Sequence, residues 1–207
     1  MHQNCFRILF VFLIALVVGG CFEYEEEMVL NRDGSGSLTV HISKLKDVKI
    51  DDNYDWPEDE EEIHDRITEK WTSKHVKLVN FRARDREKTQ DVDFTLKFDN
   101  VLDLNNVDQF MDSQIDFKPG ADFYYRRIIS TDSDDSYDED ENSTFGKIIK
   151  SIVVEALDNL KFRYEIKMPK DITDNNADWV RNKRNAIWRF TAADLVNGKF
   201  EMIVNCE

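Results

Sequence analysis

The chain has 207 residues, with 28 Lys and Arg against 42 Asp and Glu and a formal charge of −14. Fourteen Phe, four Trp and six Tyr can fill the core of one ordinary domain, and the first twenty residues do not read as part of it. The acidic balance repels phosphate backbones, which argues against nucleic acid as a partner, and it gives no general attraction to anionic lipid.

Residues 1–7, MHQNCFR, are short and polar, and Ile8 to Val18 is an unbroken apolar run. A spanning helix needs about 20 such residues, so this run has the proportions of a signal-peptide core. It ends in Val18-Gly19-Gly20-Cys21, which resembles the lipobox of bacterial lipoproteins: an aliphatic residue, two small ones, then cysteine. The resemblance implies cleavage between Gly20 and Cys21, a diacylglycerol thioether on the Cys21 thiol, and acylation of its amine. Each buried methylene contributes about 0.8 kcal/mol, so one acyl chain holds reversibly and two or three hold firmly. Residues 1–20 then form a cleaved signal peptide and 21–207 a single mature domain. With Cys5 removed and Cys21 acylated, Cys206 has no intrachain partner. It is either a buried strand-end residue, the favoured reading, or a free thiol able to join two chains.

Phe22 follows the cysteine where a retention signal would place Asp, which favours the outer membrane in a cell with two. The acidic EYEEE reads as a spacer or a first strand that anionic headgroups would repel. Tyr24 to Leu30, the turn NRDGSGS and LTVHI then form a β-hairpin. Asn31, Asp33 and Ser35 resemble the start of a calcium loop, but the required acidic twelfth position falls on Ile42, so that reading fails. WPEDEEEIHDRITEKW predicts a helix with Pro57 at its first position, Glu58 to Glu62 at its positive end, and Ile63, Ile67 and Trp71 along one stripe. VKLVNFRA and DVDFTLKF, the second with Val92, Phe94, Leu96 and Phe98 in strict alternation, predict a second hairpin. A short helix over Val101 to Met111 and a strand in ADFYYRRIIS follow.

The segment 132–143, DSDDSYDEDENS, reads as a solvated acidic loop whose spacing defines no metal cage. Ile148, Ile149, Ile152, Val153, Ala156, Leu157 and Leu160 recur at helical spacing and predict a second helix over Thr144 to Leu160. KFRYEIKMP predicts a strand ending at Pro169, then a polar loop, then a final pair of strands in AIWRFTAADL and KFEMIVN. The expected fold class is α+β: a mainly antiparallel sheet built from hairpins, with about two helices on one face.

Met168-Pro169, then Ile172, Asn175 or Asn176, and Trp188 within AIWRFTAADL resemble the tail of small bacterial lipoproteins of the LppM type. That resemblance implies a lipid-anchored envelope module, in a group linked to lipid and glycolipid binding, and it carries over no catalytic residue. The acidic insert departs from the pattern. No catalytic motif stands out in the residues themselves. His41, His64 and His75 lack metalloprotease spacing, and there is no nucleophile elbow, P-loop or C-x-x-C.

A ligand patch is the sharper candidate. Trp179 and Trp188 flank Arg181, Lys183 and Arg184, with Arg189 next to Trp188, so positive charge gathers beside two indoles in an acidic chain. Such a patch suits a lipid headgroup, an acidic glycan or a partner's acidic surface. The competing and stronger reading is a solvated turn whose tryptophans belong to the core. The expected function is a non-enzymatic binding module, held to the membrane through Cys21 and facing outside the cytoplasm. Its expected ligand is a lipid, a glycolipid or an envelope protein, with no cofactor, metal or catalytic residue assigned. The alternatives are a hydrolase of envelope polymers and a purely structural lipoprotein.

Overall fold

The computed structural model describes residues 22–46, 59–110, 113–130, 160–196 and 199–207. The expected signal peptide, Cys21 and the acidic segment 132–143 lie outside them, as does the helix expected over Thr144 to Leu160 except for Leu160, which opens a strand.

The first hairpin forms as expected from β1 (Phe22–Leu30) and β2 (Gly36–Leu45). Its turn is closed by Asp33, which accepts from both the N–H and the Oγ of Ser35, while Gly34 takes φ +89°. Helix α1 (Glu60–Trp71) starts three residues later than Pro57 suggested. The N-cap is Asp59, whose carboxylate accepts from the Glu62 N–H at 2.8 Å; a capping acid supplies the hydrogen bond that proline cannot. The second hairpin pairs β3 (Val76–Asp85) with β4 (Thr89–Phe98), with a bulge at Val79.

In place of a short α-helix there are two 3₁₀ turns, Val101–Asn106 and Asp108–Phe110. Strand β5 (Ser113–Lys118), unforeseen in the sequence, pairs with β6 (Phe123–Ser130). Then come β7 (Leu160–Lys167), β8 (Ile172–Asn175), β9 (Trp179–Arg181), β10 (Asn185–Thr191), the single-turn α2 (Ala192–Val196) and β11 (Lys199–Cys206). The supposed polar loop after Pro169 thus holds two short strands. The final two strands do not pair, because α2 carries the chain from one sheet to the other.

The fold is α+β and mainly antiparallel, as expected, but its strands divide between two sheets. The larger has the order β3-β4-β2-β1-β7-β10-β9, and the smaller β5-β6-β11-β8. Among the described pairings only β1 with β7 is parallel. Alternation assigns Phe22, Tyr24, Glu26, Met28 and Leu30 of the central strand β1 to the inner face, and Glu23, Glu25 and Glu27 to the outer one. Helix α1 and the smaller sheet both cover that inner face. Trp71 meets Phe94 and Phe110 edge-on at 4.9 and 5.6 Å, and Phe190 of β10 packs on Phe200 of β11 at 4.0 Å.

Candidate functional site

Glu26 is the residue that breaks the apolar inner face. It sits mid-strand in β1, is 2 % exposed, and faces Arg127 of β6, which is 5 % exposed. Arg127 donates to it through Nη1 at 2.5 Å and Nη2 at 3.4 Å, and the Tyr24 hydroxyl donates at 2.5 Å. The guanidinium lies over Phe110 at 4.7 Å and Tyr164 at 5.1 Å. Burial alone would lower the Arg127 pKa, but the Glu26 carboxylate more than offsets that and holds it above the ordinary value. Burial, with the same carboxylate nearby, keeps Tyr24 and Tyr164 as neutral phenols. Arg127 Nε has no acceptor among the described residues. The cavity beside it, bounded by Trp71, Gln109, Phe110, Ser113 and Ile129, leaves about 20 Å³ for the centre of a water molecule, room for one water-sized group. This cluster ties the two sheets together and is too small to be a ligand pocket.

The expected patch is divided by the fold. Trp188 is 3 % exposed on the inner face of β10, and its Nε1 donates to the side-chain oxygen of Asn176 at 3.1 Å. The same Asn176 oxygen accepts from the Ile203 N–H at 2.8 Å, and its amide donates to the Glu201 carbonyl at 2.7 Å. Asn176 therefore joins the larger sheet to β11, and Met168 is buried in the core. The residues that carry the LppM resemblance are thus structural ones.

Trp179, Arg181, Lys183, Arg184 and Arg189 do share one hairpin, β9–β10, at the edge of the larger sheet. Trp179 and Val180 are 43 % and 38 % exposed, and Arg189 stacks on Trp179 at 4.8 Å. Much of the positive charge is compensated. Arg181 pairs with Glu165 at 3.1 Å and Arg184 with Asp171 at 2.8 Å. Burial raises the Glu165 pKa, but the hydrogen bond from Asn185 and the Arg163 and Arg181 guanidinia outweigh it and leave the carboxyl below its ordinary range. The Arg184 hydrogen bond similarly lowers Asp171.

At the tip, Asn182 and Lys183 take φ 51° and 60°, the left-handed values of a type I′ turn, closed by the Arg184 N–H on the Arg181 carbonyl. The turn is also docked: the Lys183 and Arg184 carbonyls accept from the Ile172 and Met168 N–H groups. The three histidines do not converge, each pairing with a different aspartate: His41 with Asp93, His64 with Asp65, His75 with Asp99.

Sequence reasoning missed Glu26 and Arg127. Strand parity is the signal that finds them: Glu26 has the parity of Phe22 and Met28, and Arg127 that of Phe123 and Ile129. A family model described as LIC11874-like matches residues 16–196. No curated protein matches the chain. Among solved structures, the folded domain of Mycobacterium tuberculosis LppM, determined by NMR, is similar in fold with a TM-score of 0.50. It is 10 % identical, and the match covers 91 % of each chain.

Proposed function

The chain belongs to the LIC11874-like family, and from its domain fold and N-terminal sequence together we infer that it is a lipid-anchored envelope protein that acts by binding. The observation that carries this reading is the position of Phe22. It directly follows Cys21, is buried, and is the first residue of the central strand of the larger sheet. An acyl group on Cys21 would therefore hold one end of the sheet against the membrane with no linker between them. Acylation supplies the attachment that the acidic chain lacks. The nine residues of β1 rise about 27 Å along the strand, so the β9–β10 turn, beyond the far end of that sheet, stands away from the anchoring membrane. That placement favours a ligand in the envelope space over the headgroups of the same membrane. In a cell with two membranes, Phe22 favours delivery to the outer one.

Labelled palmitate and cell fractionation test the anchor. The wild type takes up label and sediments with membranes, globomycin makes its precursor accumulate, and Cys21→Ser releases it. A precursor unaffected by globomycin, with Cys21→Ser still membrane-bound, removes the anchor.

A further inference from the structure

At the end of the larger sheet opposite Phe22, one row of residues crosses all seven strands on the outer face. Its register reads Lys77, Lys97, Ser37, Val29, Lys167, Asn185 and Arg181, from β3 across to β9. The row holds four basic residues and no acidic one, in a chain of charge −14. At a strand spacing of about 4.8 Å it runs roughly 29 Å. Lys77, Lys97 and Lys167 are exposed and have no ion-pair or hydrogen-bond partner among the described residues. Lys77 lies directly opposite Lys97, and like charges in that position destabilise a sheet. The adjacent row on the Phe22 side carries two carboxylates, Glu27 and Glu165, of which Glu165 is already held by Arg163, Arg181 and Asn185; on the other side Asp99, two residues after Lys97, is paired with His75. A cost of this kind with no internal compensation marks a surface shaped for something other than stability.

We propose that this band binds an acidic polysaccharide, a chain of carboxylate- or phosphate-bearing sugars lying across the strands. The proposal rests on the binding-module reading but not on the anchor. A flexible polyanion needs point charges along a line, which lysines supply. A folded protein partner needs a central apolar pocket, and the neutral members of the row, Ser37, Val29 and Asn185, form none. A lipid surface would have to meet the end of the sheet far from Phe22. If the outer face lay flat on that surface, Glu23, Glu25 and Glu27 would meet the headgroups as well. Trp179, exposed and two residues before Arg181 on the same face, adds an indole for a sugar ring to pack on.

The test uses the full chain in non-ionic detergent with polygalacturonate and phosphomannan. Uncharged dextran, polyglutamate and phosphatidylglycerol vesicles are run beside them. At least one acidic polysaccharide binds, more weakly as salt rises. Dextran does not bind, and polyglutamate and vesicles bind more weakly. Replacing Lys77, Lys97 and Lys167 together by Glu weakens polysaccharide binding by about tenfold or more. Lys77→Glu alone also weakens it while leaving the melting temperature unchanged or raised, because it creates an opposite-charge pair with Lys97; a purely structural lysine gives no such split. Lys→Gln at the three positions repeats the loss should the reversals fail to fold. Absence of binding to both polysaccharides, binding indifferent to these substitutions, or tighter binding to polyglutamate or vesicles overturns the proposal. None of these outcomes touches palmitate uptake at Cys21, so the anchor and the band stand or fall separately.

Discussion

Gly36 opens β2 at a point where the backbone leaves no space for a side chain. A Cβ there would lie 2.1 Å from the Val29 carbonyl oxygen and 2.7 Å from the Phe98 ring. The ring can give, but the carbonyl belongs to a paired strand, so Gly36→Ala shifts β1 against β2. We expect a loss of about 2–3 kcal/mol, read as a lower denaturant midpoint at unchanged slope. Cys206 poses a different constraint. It is 1 % exposed at the end of β11, and burial pushes its thiol up to about 11. Its side chain therefore settles the sequence-level alternative in favour of a buried residue. A thiol-specific reagent at pH 8 should leave the native protein unlabelled and modify Cys206 only in denaturant; labelling at equal rates in both states contradicts the burial. The sign follows from linkage: between pH 9 and 11 the unfolded thiol ionises while the native one does not, so stability falls across that window.

Among the elements, the β9–β10 hairpin holds a conformational penalty in plain view. Lys183 occupies a left-handed position where a Cβ crowds the following carbonyl, at a cost of roughly 1–2 kcal/mol. Glycine relieves that crowding but enlarges the unfolded ensemble by up to about 1 kcal/mol. The difference favours Lys183→Gly by about 0.5–1 kcal/mol, measured by thermal or chemical denaturation, and a loss of stability would show that the lysine side chain makes a compensating contact. At the base of the same hairpin, Glu165 links β7 to β9 and β10 through Arg181 and Asn185. Its lowered pKa means that its contribution is complete above about pH 4.5 and is lost as pH falls through the native value. Glu165→Gln should flatten the acid limb of the stability profile and leave a smaller difference between pH 7 and pH 4. The hairpins β1–β2 and β3–β4 were legible in the sequence because strict apolar alternation meets glycine-rich or charged turns. Strands β5, β8 and β9 were not: they lie at sheet edges, and β8 and β9 run for only four and three residues with little apolar pattern.

Across the whole molecule, legibility depended on what register brings together. The basic residues near Trp179 are close in sequence and were visible as a patch, although Trp188 proved to be core. Lys77, Lys97, Lys167 and Arg181 are scattered along the chain, and only the pairing of seven strands places them in one row. The Glu26–Arg127 contact is equally non-local, joining the central strand of one sheet to the middle of the other. Two buried charges cost several kcal/mol each to desolvate, and their attraction is the term that offsets this. Removing either partner leaves the other unpaired between the sheets. Glu26→Leu and Arg127→Met should therefore each cost about 3–5 kcal/mol. The double variant, with apolar groups of similar bulk meeting across the same gap, should recover most of that loss and can exceed the wild type. Chemical denaturation of the four proteins gives the coupling energy. If the double variant is as damaged as the sum of the singles, the pair is not what holds the sheets in register. If it recovers, the attraction within the pair does no more for stability than apolar packing across the same gap.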